Sequence, residues 1–193
     1  MALTPSTMLE LGTKAPGFRL PDTDGRVVDL DDAAGEKGLL VLFICPHCPY
    51  VKHVRAELAR VGHDCAARGI GVVAIASNDV GQYPEDGLAG MKEEKAEAGY
   101  PFPYLFDETQ EVAKAYRAAC TPDLFLFDAS RRLVYRGQLD DSRPGNGVPV
   151  TGKDLRAAVD ALAEGRPVDA RQKASMGCNI KWKPGHEPEY FRS

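Results

Sequence analysis

Residues 39–48, Leu-Leu-Val-Leu-Phe-Ile-Cys-Pro-His-Cys, constrain the fold more than any other stretch of this chain. Six consecutive apolar residues, Leu39 to Ile44, predict a strand buried on both faces, as central parallel strands are. The run stops at Cys45, and Pro46 suits the first turn of a helix, where its missing N–H is not needed. Cys45 and Cys48 are three apart, so one helical turn brings both to the same side. Cys45 is then expected at or next to the N-cap, where unpaired N–H groups and the helix dipole favour a thiolate. Thiol–disulfide exchange needs a low-pKa sulfur that attacks and a second sulfur that resolves the mixed disulfide. The stretch therefore predicts a redox pair, with Cys45 the attacker and Cys48 the less exposed resolver.

The totals narrow the class. A chain of 193 residues fits one domain and buries roughly 70% of the surface its unfolded form exposes. A net charge of −4, with both signs spread along the chain, leaves no footprint for nucleic acid. Met1 to Lys14 lacks a positively charged lead before an apolar core, and no apolar run approaches the roughly 20 residues that span a bilayer. The expectation is a cytoplasmic location and no membrane partner. Of the five cysteines only Cys45 and Cys48 are neighbours. Cys65, Cys120 and Cys178 are scattered, unlike a framework of structural bridges, which favours a reduced or cycling set.

Along the chain, residues 1–16 read as a weakly fixed lead-in. Phe18 to Leu20 and Val27 to Leu30 read as two short strands joined by the polar turn Pro21-Asp22-Thr23-Asp24-Gly25. Asp31 to Gly38 form a loop into the apolar strand. After the Cys pair, Val51, Val54, Leu58, Val61 and Cys65 recur at helical steps, with Lys52, Arg55, Glu57 and Arg60 falling elsewhere, and Gly69 closes the helix. Pro49 in that helix removes the bond to the Cys45 carbonyl. A second buried strand is expected at Val72 to Ala76, an exposed helix over 85–98 and a short strand from Tyr104 to Phe106. A helix over 110–118 follows, capped from Asp107 to Thr109. Leu124 to Phe127 and Leu133 to Arg136 read as paired strands, and a last helix runs from Thr151 or Gly152 to Ala163. Residues 1–164 thus form an α/β domain, a mixed sheet with helices on both faces. Residues 165–193 form an extended tail packed on it. Right-handed crossovers set the Cys45 turn at the C-terminal edge of the sheet, where open α/β folds keep their sites.

These elements and motifs resemble the thioredoxin-like superfamily, and within it the redoxin/peroxiredoxin-like branch grouped with alkyl hydroperoxide reductase and thiol-specific antioxidant proteins. The N-terminal Leu11-Gly12-Thr13-Lys14-Ala15-Pro16-Gly17-Phe18, with its hairpin, is similar to the opening of that branch. The helix over 85–98 and the strand near 105 look like its insertion into the thioredoxin core. Cys120-Thr121-Pro122-Asp123 matches where the superfamily keeps a cis-proline facing the Cys pair. Gly177-Cys178-Asn179-Ile180-Lys181-Trp182-Lys183-Pro184-Gly185 resembles a tail of bacterial peroxiredoxin-like proteins. The resemblance implies a thioredoxin-like fold and a cis Pro122 that exposes the Thr121 backbone to pair with a substrate chain beside Cys45.

The chemistry expected is exchange with protein or small-molecule disulfides through Cys45 and Cys48, with a partner protein to regenerate the pair and no organic cofactor. Pro46 and His47 are expected to modulate it, a protonated His47 favouring the thiolate; a solvated, idle His47 is the plainer reading. Cys65 reads as an inert core residue, and Cys120 as either a neighbour of the site or a small buried side chain. Cys178 is a candidate third redox thiol, although Ile180 and Trp182 also suit a purely structural anchor for the tail. A peroxide reductase with Cys45 as peroxidatic cysteine is the main alternative. Peroxiredoxins carry a Pro-x-x-x-Thr/Ser-x-x-Cys pattern, however, and Gly38 and Leu42 stand in its Pro and Thr/Ser positions. A metal-binding module on Cys45, His47, Cys48 and His53 lacks a second ligand pair, so no metal is expected. A thioredoxin-fold binding module with idle cysteines is the remaining reading. Thioredoxin's buried carboxylate near the start of the central strand has no counterpart in Leu39 to Ile44.

Overall fold

In the computed structural model, which describes residues 3–191, the chain begins with β1 (Leu3–Pro5), the hairpin β2 (Arg19–Pro21) and β3 (Val27–Asp29), and α1 (Leu30–Ala33). The apolar run forms β4 (Gly38–Phe43), and the long helix α2 (Pro49–Ala67) leads to β5 (Ile70–Ala76). A 3-10 turn at Pro84–Asp86 precedes α3 (Leu88–Ala98), β6 (Tyr104–Phe106) and α4 (Glu111–Ala115). Then come β7 (Cys120–Thr121), β8 (Asp123–Asp128), β9 (Leu133–Arg136), α5 (Lys153–Ala163) and β10 (Met176–Asn179).

The main sheet has the order β6-β5-β4-β8-β9. β4 runs parallel to β5 and antiparallel to β8, so the sheet is mixed and β4 is its middle strand. Alternation along β4 divides the core. Leu40 and Leu42 join Val51, Val54 and Leu58 of α2 and Leu155 and Val159 of α5. Leu39, Val41 and Phe43 join Ala33, Ala113, Tyr116 and Trp182 on the opposite face. Burial of such side chains contributes about 1.5–3 kcal/mol each, which explains why a strand covered on both faces needs an uninterrupted apolar run. Among the described residues no helix is long and apolar enough to cross a membrane.

Several local expectations change. The lead-in is fixed: β1 pairs with β10, and Ala15 and Phe18 are buried. Its partner strand lies at the other end of the chain, so no local pattern announces it. The loop after β3 begins with a short helix, because the Asp29 carboxylate accepts from the N–H groups of Asp31 and Asp32 while Asp32 accepts from the N–H of Asp29. Helix 85–98 starts at Leu88, after the turn at Pro84–Asp86, and it is not wholly exposed, since Met91 and Glu94 are buried. Helix 110–118 is only five residues long, capped by the buried Asp107 carboxylate, which accepts from Ala113 N–H at 2.9 Å. Glu57 is buried rather than on the solvent face: it accepts from Arg60 and from Arg156 of α5 (2.5 Å), tying α2 to α5. The tail is not merely extended, because residues 176–179 enter a second sheet of order β1-β10-β7.

Candidate active site

β4 delivers the chain to the site, and Ile44 extends it by donating its N–H to the Ile75 carbonyl (3.1 Å). The helix then opens later than expected. Pro49, not Pro46, is its first residue, and Cys48 is the N-cap with extended backbone (φ −67°, ψ 120°). The cause is proline chemistry: Pro49 needs no N–H at the first helical position, and it holds the residue before it out of the α region. Cys45 therefore sits in the turn before the helix, and the N-cap position assigned to it belongs to Cys48. Pro49 removes no bond from inside the helix.

Both sulfurs are buried, Cys45 at 1% exposure and Cys48 at 0%. Their electrostatics are linked. The Cys48 sulfur is pulled well below the usual thiol range because it accepts from the thiols of Cys178 and Cys45, from the Thr121 hydroxyl and from the Val51 N–H. When protonated, it donates instead to the Thr121 carbonyl at 3.2 Å. Cys45 moves up, because it holds a proton for Cys48, is desolvated and feels the Asp86 carboxylate. Its sulfur lies 3.6 Å from Thr121 Oγ1 and 4.0 Å from His47 Nδ1.

Thr121 and Pro122 arrive from β7, and the bond between them is cis. They face the pair as the resemblance implies, although Cys48, not Cys45, touches the Thr121 carbonyl. Pro46 forms the wall of an open depression of about 360 Å³ with His47, Lys52, Arg55, Glu93 and Glu94. The His47 ring is stacked on Tyr83 at 5.0 Å, and its Nδ1 makes a very short contact with the Asp86 carboxylate. Asp86, fully buried, also accepts from the His47 N–H (3.0 Å) and from Asn78 Nδ2 (2.7 Å). That hydrogen bond raises the His47 pKa despite partial burial, and the Cys48 charge adds to the rise. His47 is thus not free in solvent.

Pairing with Asp86 sets a sign for pH dependence. A histidine whose pKa is raised on folding contributes stability that is fully present below its unfolded pKa, near 6.5, and lost as pH rises through the folded value. Urea unfolding of wild type between pH 5.5 and 8.5 is expected to show this loss, and His47→Gln to flatten it. An identical slope in the variant would remove His47 from the account.

Cys178 is buried and in hydrogen-bond contact with Cys48. Cys65 belongs to the core, its thiol pushed up to about 12 by burial. Cys120 is buried too, its sulfur 3.7 Å from the Pro122 carbonyl, and burial raises it. Among the described residues, Cys45, His47 and Asp86 have potential ligand atoms within 4.8 Å of one another, but His47 and Asp86 are already bonded to each other. His53 is elsewhere, bonded to Ser142. Leu42, in the place of the peroxiredoxin hydroxyl, is buried in the core.

Sequence reasoning missed Asp86, Asn78 and Tyr83, which stand in a polar stretch with no spacing relation to the Cys pair. It also missed Asp123, a wholly buried carboxyl next to Pro122 that accepts from the Ala119 N–H (3.1 Å) and is pushed up to about 7 by burial. One buried acid, Asp86, acts on Cys45 and His47, and it comes from the insertion instead of the central strand.

Known proteins resemble this chain. The AhpC/TSA family profile matches residues 11–136. A Mycobacterium tuberculosis protein described as a peroxiredoxin is 31% identical over 116 residues, covering 60% of this chain and 69% of that protein. Thiol-disulfide oxidoreductase ResA of Bacillus subtilis is 29% identical over 123 residues, 64% of each chain. Among solved structures, an uncharacterized conserved protein from Geobacillus kaustophilus superposes with a TM-score of 0.94 at 57% identity, covering 96% of this chain and 98% of that one. A thiol:disulfide interchange protein DsbE from Chlorobium tepidum superposes at 0.62 with 22% identity, covering 80% and 99%, a likeness of fold. The fold is thioredoxin-like.

Proposed function

Because the chain belongs to the AhpC/TSA family, we propose that it is a thiol–disulfide oxidoreductase whose working dithiol is Cys48 and Cys45. The family, and the thiol-disulfide oxidoreductase among its relatives, support redox chemistry in general. The finer reading is supported by one observation: Cys48 stands at the N-cap of α2, and both sulfurs lie against Thr121, Cys48 3.2 Å from its carbonyl and Cys45 3.6 Å from its hydroxyl. The Cys48 thiolate attacks one sulfur of a substrate disulfide; a Cys48–substrate bond forms and the other substrate sulfur leaves as a thiolate. Cys45 then gives up its proton and attacks Cys48. The Cys45–Cys48 bond forms and the second substrate sulfur leaves. Two electrons have passed to the substrate, whose thiols take one proton from Cys45 and one from solvent.

The sulfurs carry both electrons, so no organic cofactor enters. The substrate is a protein or small-molecule disulfide, and a partner of matching potential regenerates the pair in the cytoplasm. Thr121 positions the reacting sulfurs through its hydroxyl and carbonyl. His47 tunes the reduced form: its raised pKa and its mutual attraction with the Cys48 charge favour the thiolate. His47→Ala is therefore expected to make the disulfide harder to reduce, lowering the midpoint by about 30 mV, the equivalent of roughly 1.4 kcal/mol for two electrons. An unchanged midpoint in a redox titration of the variant would exclude this role.

The reading itself is tested by equilibrating wild type in glutathione redox buffers and mapping disulfides. A Cys45–Cys48 bond with a defined midpoint supports it. Oxidation by hydrogen peroxide with no exchange against disulfides would transfer the site to the peroxide-reductase alternative, and stoichiometric zinc on the purified protein to the metal-binding one.

A further inference from the structure

The edge at Thr121-Pro122, where the resemblance implies an incoming substrate strand, already carries a strand of this chain. In β10, Cys178 pairs antiparallel with Thr121 and Asn179 with Cys120. The Ser175 hydroxyl donates to the Pro122 carbonyl (2.6 Å), and the Ile180 N–H donates to the Ala119 carbonyl (3.1 Å), so the tail is held on either side of Cys178. Gly177 permits the approach: a Cβ there would stand 2.0 Å from the Thr121 carbonyl oxygen. On its other edge β10 is held by β1, with Leu3 opposite Cys178. The register sets Cys178 opposite Thr121, whose carbonyl the Cys48 sulfur touches at 3.2 Å, and Cys45, Cys48 and Cys178 pack in one buried cluster.

We propose that Cys178 is a third exchange thiol, a tethered counterpart of a substrate cysteine, which takes Cys48 from Cys45 as a Cys48–Cys178 disulfide. This rests on the reading of Cys45 and Cys48 as a redox pair. In the step, Cys178 loses its proton and its sulfur attacks Cys48 within the Cys45–Cys48 disulfide. The Cys48–Cys178 bond forms, the Cys45–Cys48 bond breaks, and Cys45 leaves as a thiolate that takes up a proton. No electron enters or leaves, so the isomerisation needs no outside oxidant. The timing follows from the contacts. While Cys48 is ionised, Cys178 keeps its proton as a donor to it. Once Cys48 is bonded to Cys45 that acceptor and its charge are gone, and the nearby Lys181 charge favours the Cys178 thiolate.

The experiment oxidises Cys45→Ser and the double variant Cys45→Ser/Cys178→Ser with glutathione disulfide, followed by alkylation and non-reducing peptide mapping. The single variant is expected to convert its Cys48–glutathione adduct into a Cys48–Cys178 disulfide, clearing the adduct at least about tenfold faster than the double variant. Equal adduct lifetimes with no Cys48–Cys178 peptide would overturn the inference. Wild-type protein, which carries no substitution, supplies an independent arm: a map holding both Cys45–Cys48 and Cys48–Cys178 supports a shared Cys48, and one holding Cys45–Cys48 alone counts against it. A wild-type map with neither bond, and no adduct on Cys48, would instead defeat the parent reading.

Discussion

Cys48→Ser is expected to abolish disulfide exchange, while Cys45→Ser is expected to retain the first half of the reaction and stall there. The two sulfurs occupy unlike positions. Cys48 is the N-cap residue of α2, where the helix dipole favours a thiolate, and its pKa is lowered, so the attacking charge is assigned to it. Cys45 is a donor in the same network, held protonated by Cys48, by burial and by Asp86. Removing the nucleophile should lower the rate by ~10³-fold or more, the scale on which catalysis collapses when an attacking side chain is lost. In Cys45→Ser a mixed disulfide on Cys48 should accumulate during single-turnover reaction with a small aromatic disulfide. The measurement is mass spectrometry of the quenched enzyme. A stable adduct on Cys45 in Cys48→Ser, with none on Cys48 in Cys45→Ser, would restore the order expected from the motif alone and defeat the one given by the N-cap position of Cys48.

The second large effect is on stability. Asp86 is fully buried, and three donors converge on it: the ring and backbone N–H of His47 and the amide of Asn78. Asp86→Ala leaves the cationic partner without its counter-charge and two polar groups without an acceptor. Breaking a buried pair in this way costs about 3–5 kcal/mol. At roughly 2–4 °C per kcal/mol for a chain of this size, Tm should fall by about 6–20 °C. Asp86→Asn keeps the shape and one acceptor oxygen, so it should lose less stability. It should also lose the His47-linked pH dependence, because the pairing that raises the His47 pKa is gone. Calorimetry of the two variants at pH 6 and pH 8 separates these outcomes. A Tm within a degree or two of wild type in Asp86→Ala would mean that the pair contributes nothing.

Comparing the sequence with the fold shows where pattern reading works. The apolar run 39–44, the stripe on α2, the hairpin at 19–29 and the pairing of 124–127 with 133–136 were all legible, because each depends on neighbours within a few residues or on burial of a whole face. The boundaries that moved did so for local chemical reasons that the sequence also contained. Two prolines, Pro46 and Pro49, each suit a helix start, and the choice of the second shifted the cap from Cys45 to Cys48. Strand β10 was not legible: Met176-Gly177-Cys178-Asn179 has no alternation, and its pairing is dictated by β1 and β7, which lie far away in the chain.

The residues alone determined that a thiol pair follows a central buried strand and precedes a long amphipathic helix, since apolar runs, cysteine spacing and helical periodicity are properties of order along the chain. Which buried acid holds His47 and which strand covers the Thr121 edge were decided by tertiary structure. Charge, desolvation and hydrogen bonding act through distance in space, and Asp86, Thr121 and Cys178 reach the two cysteines only when folding brings the insertion, the strand β7 and the tail to one end of the sheet.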